Sequence, residues 1–136
     1  MSSEGNKEIS RKYYDEVWTN KNIDKIADYI SDDFVFHSGD ADYKGVDYYK
    51  QLLMSYQKAF PDLTFTLKEL IAENDRVVEL WSATGTHRGE FQGIPPTNKH
   101  AKISGVDIVT FRDGKITERW AYADFQGLMK QLGVLP

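Results

Sequence analysis

At Pro61 the hydrophobic period of this chain changes from 3.6 residues to 2, and few folds accommodate such a switch. Before it, Ile9, Tyr13 and Val17 recur at i, i+4 and i+8, and Tyr14 and Trp18 widen the stripe. A helix is therefore predicted over about residues 7–19. Asn22 is placed to cap a second helix with Ile23, Ile26, Ala27 and Ile30 on its inner side. A short strand over residues 34–37 leads into a turn-rich stretch, 38–45, read as a loop. A third helix over 46–60 carries Tyr49, Leu52, Leu53, Tyr56 and Phe60 on one side, and Pro61 ends it because proline cannot continue the hydrogen-bond ladder.

Beyond Pro61, Leu63, Phe65 and Leu67 alternate with Thr64, Thr66 and Lys68, as a strand requires. Asn74-Asp75 turns into a strand over 76–86, and residues 89–99, with two Gly and two Pro, form an irregular loop. A long strand over 101–112 turns at Asp113-Gly114, a strong hairpin signal, and returns over 115–123. Helices first and strands afterwards make an α+β fold: three helices on the concave face of a curved antiparallel sheet, with a pocket between them. The length suits one domain spanning residues 1–136, with 1–6 expected to be disordered.

Pairing arithmetic on the last hairpin assigns its inner face. A two-residue loop sets Arg112 opposite Lys115, Phe111 opposite Ile116, Val109 opposite Glu118 and Asp107 opposite Trp120. Continuing, Gly105 faces Tyr122 and Ile103 faces Asp124. On that register Asp107, Glu118 and Asp124 point inward with Trp120 and Tyr122, while Thr117 and Arg119 point outward. An ionised carboxylate in an apolar interior must be paired, hydrogen-bonded or raised in pKa, and a raised carboxylate suits acid/base chemistry on carbon.

The formal charge is −4 and no stretch concentrates Lys or Arg, which argues against nucleic acid and against an anionic membrane surface. The absence of cysteine removes thiolate chemistry and Cys-ligated metal, and His37, His87 and His100 lack the spacing of a metal cluster. His87 and His100 are expected to be exposed. Without a signal-like N-terminus or a membrane-length apolar run, a soluble cytoplasmic protein is the expectation. Aromatics make up 13% of residues, enough for a bulky core or an apolar pocket.

Asp124 is thus the first candidate acid/base, with a plain helix N-cap as its alternative. His37, at a strand end before a loop, and Asp107 are candidate partners that donate to an oxyanion. Tyr14, Trp18, Trp81, Phe91, Trp120 and Tyr122 are candidate walls for a small hydrophobic ligand bearing a carbonyl. A non-catalytic binder of hydrophobic molecules stands as the alternative to an enzyme.

Residues 37–133 carry AFPDLTFTLKELIAENDRV, TGTHRGEFQGIPPTNK and FRDGKITERWAYADFQGLMKQLG in order. In this the chain resembles the SnoaL-like polyketide cyclases, or ester cyclases, of the nuclear-transport-factor-2-like superfold. The resemblance implies a cone-shaped α+β barrel, no cofactor, and a homodimer or higher oligomer formed through the sheet. It also implies an intramolecular aldol cyclisation, with Asp124 of the Trp-x-x-x-Asp pattern as base and His37 as its helper. Those cyclases carry a second histidine on the penultimate strand; here that strand has none, and Asp107 is its inward ionisable residue. Dehydratases, isomerases and epoxide hydrolases share the fold.

Overall fold

A computed structural model describes residues 2–135. Helix α1 (Ser3–Tyr13) starts where residues 1–6 were expected to be disordered; Ser2 caps it by accepting the Gly5 amide, and Asn6 is already buried. Met1 lies outside the described residues. The predicted continuation of this helix is a π-helical turn, Tyr14–Thr19, which keeps Tyr14, Val17 and Trp18 together on the inner side. The second predicted helix is a 3-10 segment, Ile23–Asp28. Strand β1 (Ile30–Ser38) is longer than expected, and the stretch read as a loop holds an edge strand, β2 (Ala41–Lys44). Helix α2 (Val46–Ala59) stops before Pro61 as proline demands.

Four long strands follow: β3 (Thr64–Glu73), β4 (Arg76–Thr86), β5 (His100–Arg112) and β6 (Lys115–Ala123), then the short α3 (Phe125–Gln131). They form one six-stranded sheet in the order β2-β1-β6-β5-β4-β3. It is antiparallel throughout except that β1 runs parallel to β6, a mixed pairing the sequence reading did not contain. Both edges are free, so the sheet is open and not a closed barrel. The fold class is α+β, with α1, the π-turn and α2 on one face around Tyr13, Val17, Phe34, Leu53, Val77, Val109 and Ile116. Among the described residues no helix is long and apolar enough to cross a membrane.

The hairpin turn behaves as Asp-Gly predicts: Asp113 and Gly114 have φ of 52° and 79°, the paired positive values of a type I′ turn. Arg112–Lys115 and Phe111–Ile116 pair as expected. Beyond them the register slips, because Thr117 is an extra residue and Glu118 pairs with Thr110. This β-bulge inverts every side chain that follows. Val109 faces Arg119 and Asp107 faces Ala121, so Glu118, Trp120 and Tyr122 lie on the open face and Arg119 is buried. The expected inner face is corrected accordingly. On a regular register Trp120 and Tyr122 would fill the interior; the bulge puts Ala121 and Ala123 there and leaves space.

Candidate functional site

That space is a cavity of about 120 Å³ between the sheet and the helices. Its walls are aromatic and aliphatic: Tyr14 and Trp18 from the π-turn, Tyr49, Leu52 and Tyr56 from α2, and Phe65 and Trp81 from the sheet. Ala83, Ala121 and Ala123 line it with little side-chain volume, and Phe91 reaches in from the loop between β4 and β5. Gly105 is required by a close approach: a Cβ there would stand 2.3 Å from Cζ2 of Trp81.

Asp107 is the one carboxylate among the described residues that line this cavity. It is 7% exposed, and both its oxygens are held. Trp81 Nε1 donates to Oδ1 across 2.9 Å and Arg119 Nη1 donates to Oδ2 across 2.7 Å. The same Nη1 donates to Oε1 of Glu79 across 2.6 Å, and the Tyr14 hydroxyl donates to that oxygen across 2.9 Å. Burial pushes the Glu79 carboxyl above its usual range, against the pull of Arg119. Burial opposes the Arg119 charge, but Glu79 and the surrounding tyrosines outweigh it and hold the guanidinium well above its ordinary pKa. Burial is also the first cause of the raised phenols of Tyr14 and Tyr49 and of Tyr56, pushed up to about 12. These phenols are therefore neutral donors. Tyr49 shares a 2.5 Å hydrogen bond with Tyr13, whereas the Tyr56 hydroxyl has no protein partner among the described residues.

Of the residues singled out in the sequence, Tyr14, Trp18, Trp81, Phe91 and Asp107 come together here. Trp120 and Tyr122 do not: the bulge carries them to the open face, where Trp120 stacks on His37 at 4.5 Å. His37 is likewise on that face, because Phe36 and Ser38 are the β1 residues that look into the cavity. It bridges Asp42 (2.5 Å) and Glu118 (2.9 Å) on the open face. Asp124 is exposed and caps α3, accepting the Gly127 amide at 2.9 Å through Oδ1. Its neighbours Ala123 and Phe125 line the cavity, so it stands at the rim. Asp107, placed inward by the sequence, is bonded there by Trp81 and Arg119. His87, expected to be exposed, is fully buried, stacked on Phe60 and accepting the Thr97 amide at Nδ1.

Residues 8–132 match the family model of the SnoaL-like polyketide cyclases. The chain belongs to the SnoaL-like polyketide cyclase family. Nogalonic acid methyl ester cyclase of Streptomyces nogalater is 31% identical over 88 aligned positions, covering 56% of this chain and 66% of that relative. The chain therefore spans just under two thirds of that relative's length. Among solved structures, AclR of Streptomyces galilaeus, a proposed hydroxylase, superposes with a TM-score of 0.90 at 32% identity, over 99% of this chain and 89% of AclR. A proposed polyketide cyclase from Acidithiobacillus ferrooxidans gives 0.84 at 31% identity over the whole of both chains. A proposed SnoaL-like cyclase from Jannaschia sp. CCS1 gives 0.91 at 22%, over 98% and 95%, a likeness of fold alone. Within this SnoaL-like fold, Glu79 and Arg119 are the buried charged-type residues around Asp107 that sequence reasoning missed. Glu79 alternates with Val77 and Trp81, so period 2 alone places it inside. Nothing in ITERWAY announces the bulge that buries Arg119.

Proposed function

We propose that this SnoaL-like protein abstracts a proton next to a carbonyl in a small hydrophobic substrate and so drives ring closure or isomerisation. The observation that carries the reading is Asp107, the one carboxylate among the described residues lining a largely apolar cavity, held there by Trp81 and by the Arg119 guanidinium that also lines it. Asp107 takes the proton from the carbon, and the free Tyr56 hydroxyl donates to the enolate oxygen that forms. The enolate carbon then bonds to a second carbonyl carbon, and the resulting alkoxide takes the proton back from Asp107. A cavity of about 120 Å³ holds about one six-membered ring, so only the reacting ring of a larger polyketide ester enters.

A second reading gives the base to Asp124, whose Oδ2 makes no hydrogen bond among the described residues and which sits between two lining residues. The two are separated by offering nogalonic acid methyl ester, the compound in the relative's name, to Asp107→Asn and Asp124→Asn. Loss of a general base costs about 10²–10⁴ in rate. That loss is expected in Asp107→Asn, and its appearance in Asp124→Asn alone reverses the assignment.

The open face supports self-association as well. Leu80, Ile71 and Tyr122 are exposed there beside the half-buried Val106 and Ile108, an apolar patch more extended than scattered surface residues. A second copy of the chain is the partner proposed for it.

A further inference from the structure

Glu79 and Asp107 lie directly opposite each other on adjacent strands, buried to 0% and 7% exposure. A single cation, Arg119, faces both, through one nitrogen. The other groups around them among the described residues are Tyr13, Tyr14 and Ser10 from the first helical segment, Tyr49 and Tyr56 from α2, and Trp81; none carries a charge. Two ionised carboxylates against one guanidinium would leave an uncompensated negative charge out of water, which is costly. A proton on one carboxylate makes the cluster neutral. Both oxygens of Asp107 accept strong donors, and so does Oε1 of Glu79. Oε2 of Glu79 is buried without a partner, and so is Oγ of Ser10. A proton on Oε2 removes the charge from this buried, unpartnered oxygen.

We propose that Glu79 is a neutral positioning acid: it keeps a proton on Oε2 and leaves Asp107 the only ionised carboxylate facing Arg119. Resting on the reading of Asp107 as base, this gives the site a charge logic. The cluster is neutral before reaction and becomes singly positive when Asp107 takes the substrate's proton, complementary to the enolate left behind. Burial of Glu79, which raises its carboxyl, acts in the same direction.

The test is carbon-13 NMR of the full chain with the glutamate carboxyl carbons labelled, titrated with pH, Glu79→Gln assigning the signal. The Glu79 signal is expected at the position of a protonated acid at pH about 7, and a carboxylate signal there overturns the proposal. Asp107→Asn removes the negative charge opposite Glu79, so the Glu79 midpoint is expected to fall; an unchanged midpoint means that Asp107 is not the ionised partner, which also overturns it. Both readouts are independent of turnover. A failed base assignment for Asp107 therefore appears only in the kinetics, and a failed proton assignment only in these spectra.

Discussion

Trp81 holds Asp107: its indole Nε1 donates to Oδ1 across 2.9 Å, and the ring itself lines the cavity that the carboxylate faces. One residue therefore shapes the wall and orients the proposed base. Trp81→Phe keeps the wall and removes the donor, leaving Oδ1 unpartnered at a cost of about 1–3 kcal/mol. A lower melting temperature is expected, with a smaller loss of rate than Asp107→Asn gives. Calorimetry and turnover on the same ester check both parts.

Gly105 should be the most sensitive glycine of the site. Its missing Cβ leaves room for the Trp81 ring, which an added methyl would meet at 2.3 Å. Gly105→Ala is expected to displace that ring and destabilise the fold by about 1–3 kcal/mol, the usual range for overpacking. A shift in tryptophan fluorescence together with a lower unfolding midpoint is the expected result.

Arg119 contacts two buried carboxyl groups and compensates the charge of Asp107. Breaking a buried pair by removing one partner costs about 3–5 kcal/mol, because the stranded charge stays out of water. Arg119→Met should lose stability on that scale at neutral pH in denaturant titrations. Recovery on acidification, as the stranded carboxylate takes up a proton, distinguishes this electrostatic cause from lost packing.

On the open face, burial lowers the pKa of His37, but Asp42 and Glu118 outweigh it and the folded value lies above the ordinary one. A raised folded pKa means that the stabilisation is complete below the unfolded value of about 6.5 and is lost as pH rises through the folded value. His37→Gln should therefore cost more stability at about pH 5.5 than at about pH 8.5. Paired melting curves at the two pH values check the sign.

Leu80 tests the proposed self-association. Leu80→Asp puts a charge in the middle of the exposed apolar face. Sedimentation should show a dimer or larger assembly for the parent chain and a monomer for the variant.

The fold was legible to the extent that periodicity and turn chemistry decide it. The period switch at Pro61 separated helices from strands, and Asp113-Gly114 fixed the first two pairs of the last hairpin. Asp107 was placed inward correctly, since the extra residue lies on β6 and the alternation of Asp107, Val109 and Phe111 along β5 is unbroken. Trp120, Tyr122 and Arg119 were misplaced together, because one extra residue, Thr117, inverts all that follows it and no Gly or Pro marks it. His37 was read only as a strand end before a loop; the alternation of β1, with Phe34 and Phe36 buried, sets it on the opposite face. Asp124 was recognised as both cap and candidate base, and its side chain caps. Glu79 was within reach of the alternation rule, but β4 has apolar residues on both faces and the pattern gave it no contrast.

The most direct measurement of the central claim is hydrogen–deuterium exchange, followed by NMR, at the carbon next to the carbonyl of nogalonic acid methyl ester in heavy water. It reads proton abstraction itself, whether or not the ring closes. The parent chain should exchange that position, and Asp107→Asn should slow the exchange by at least about 10²-fold while melting as a folded protein. Exchange at the parent rate in Asp107→Asn would contradict the assignment of Asp107 as the base.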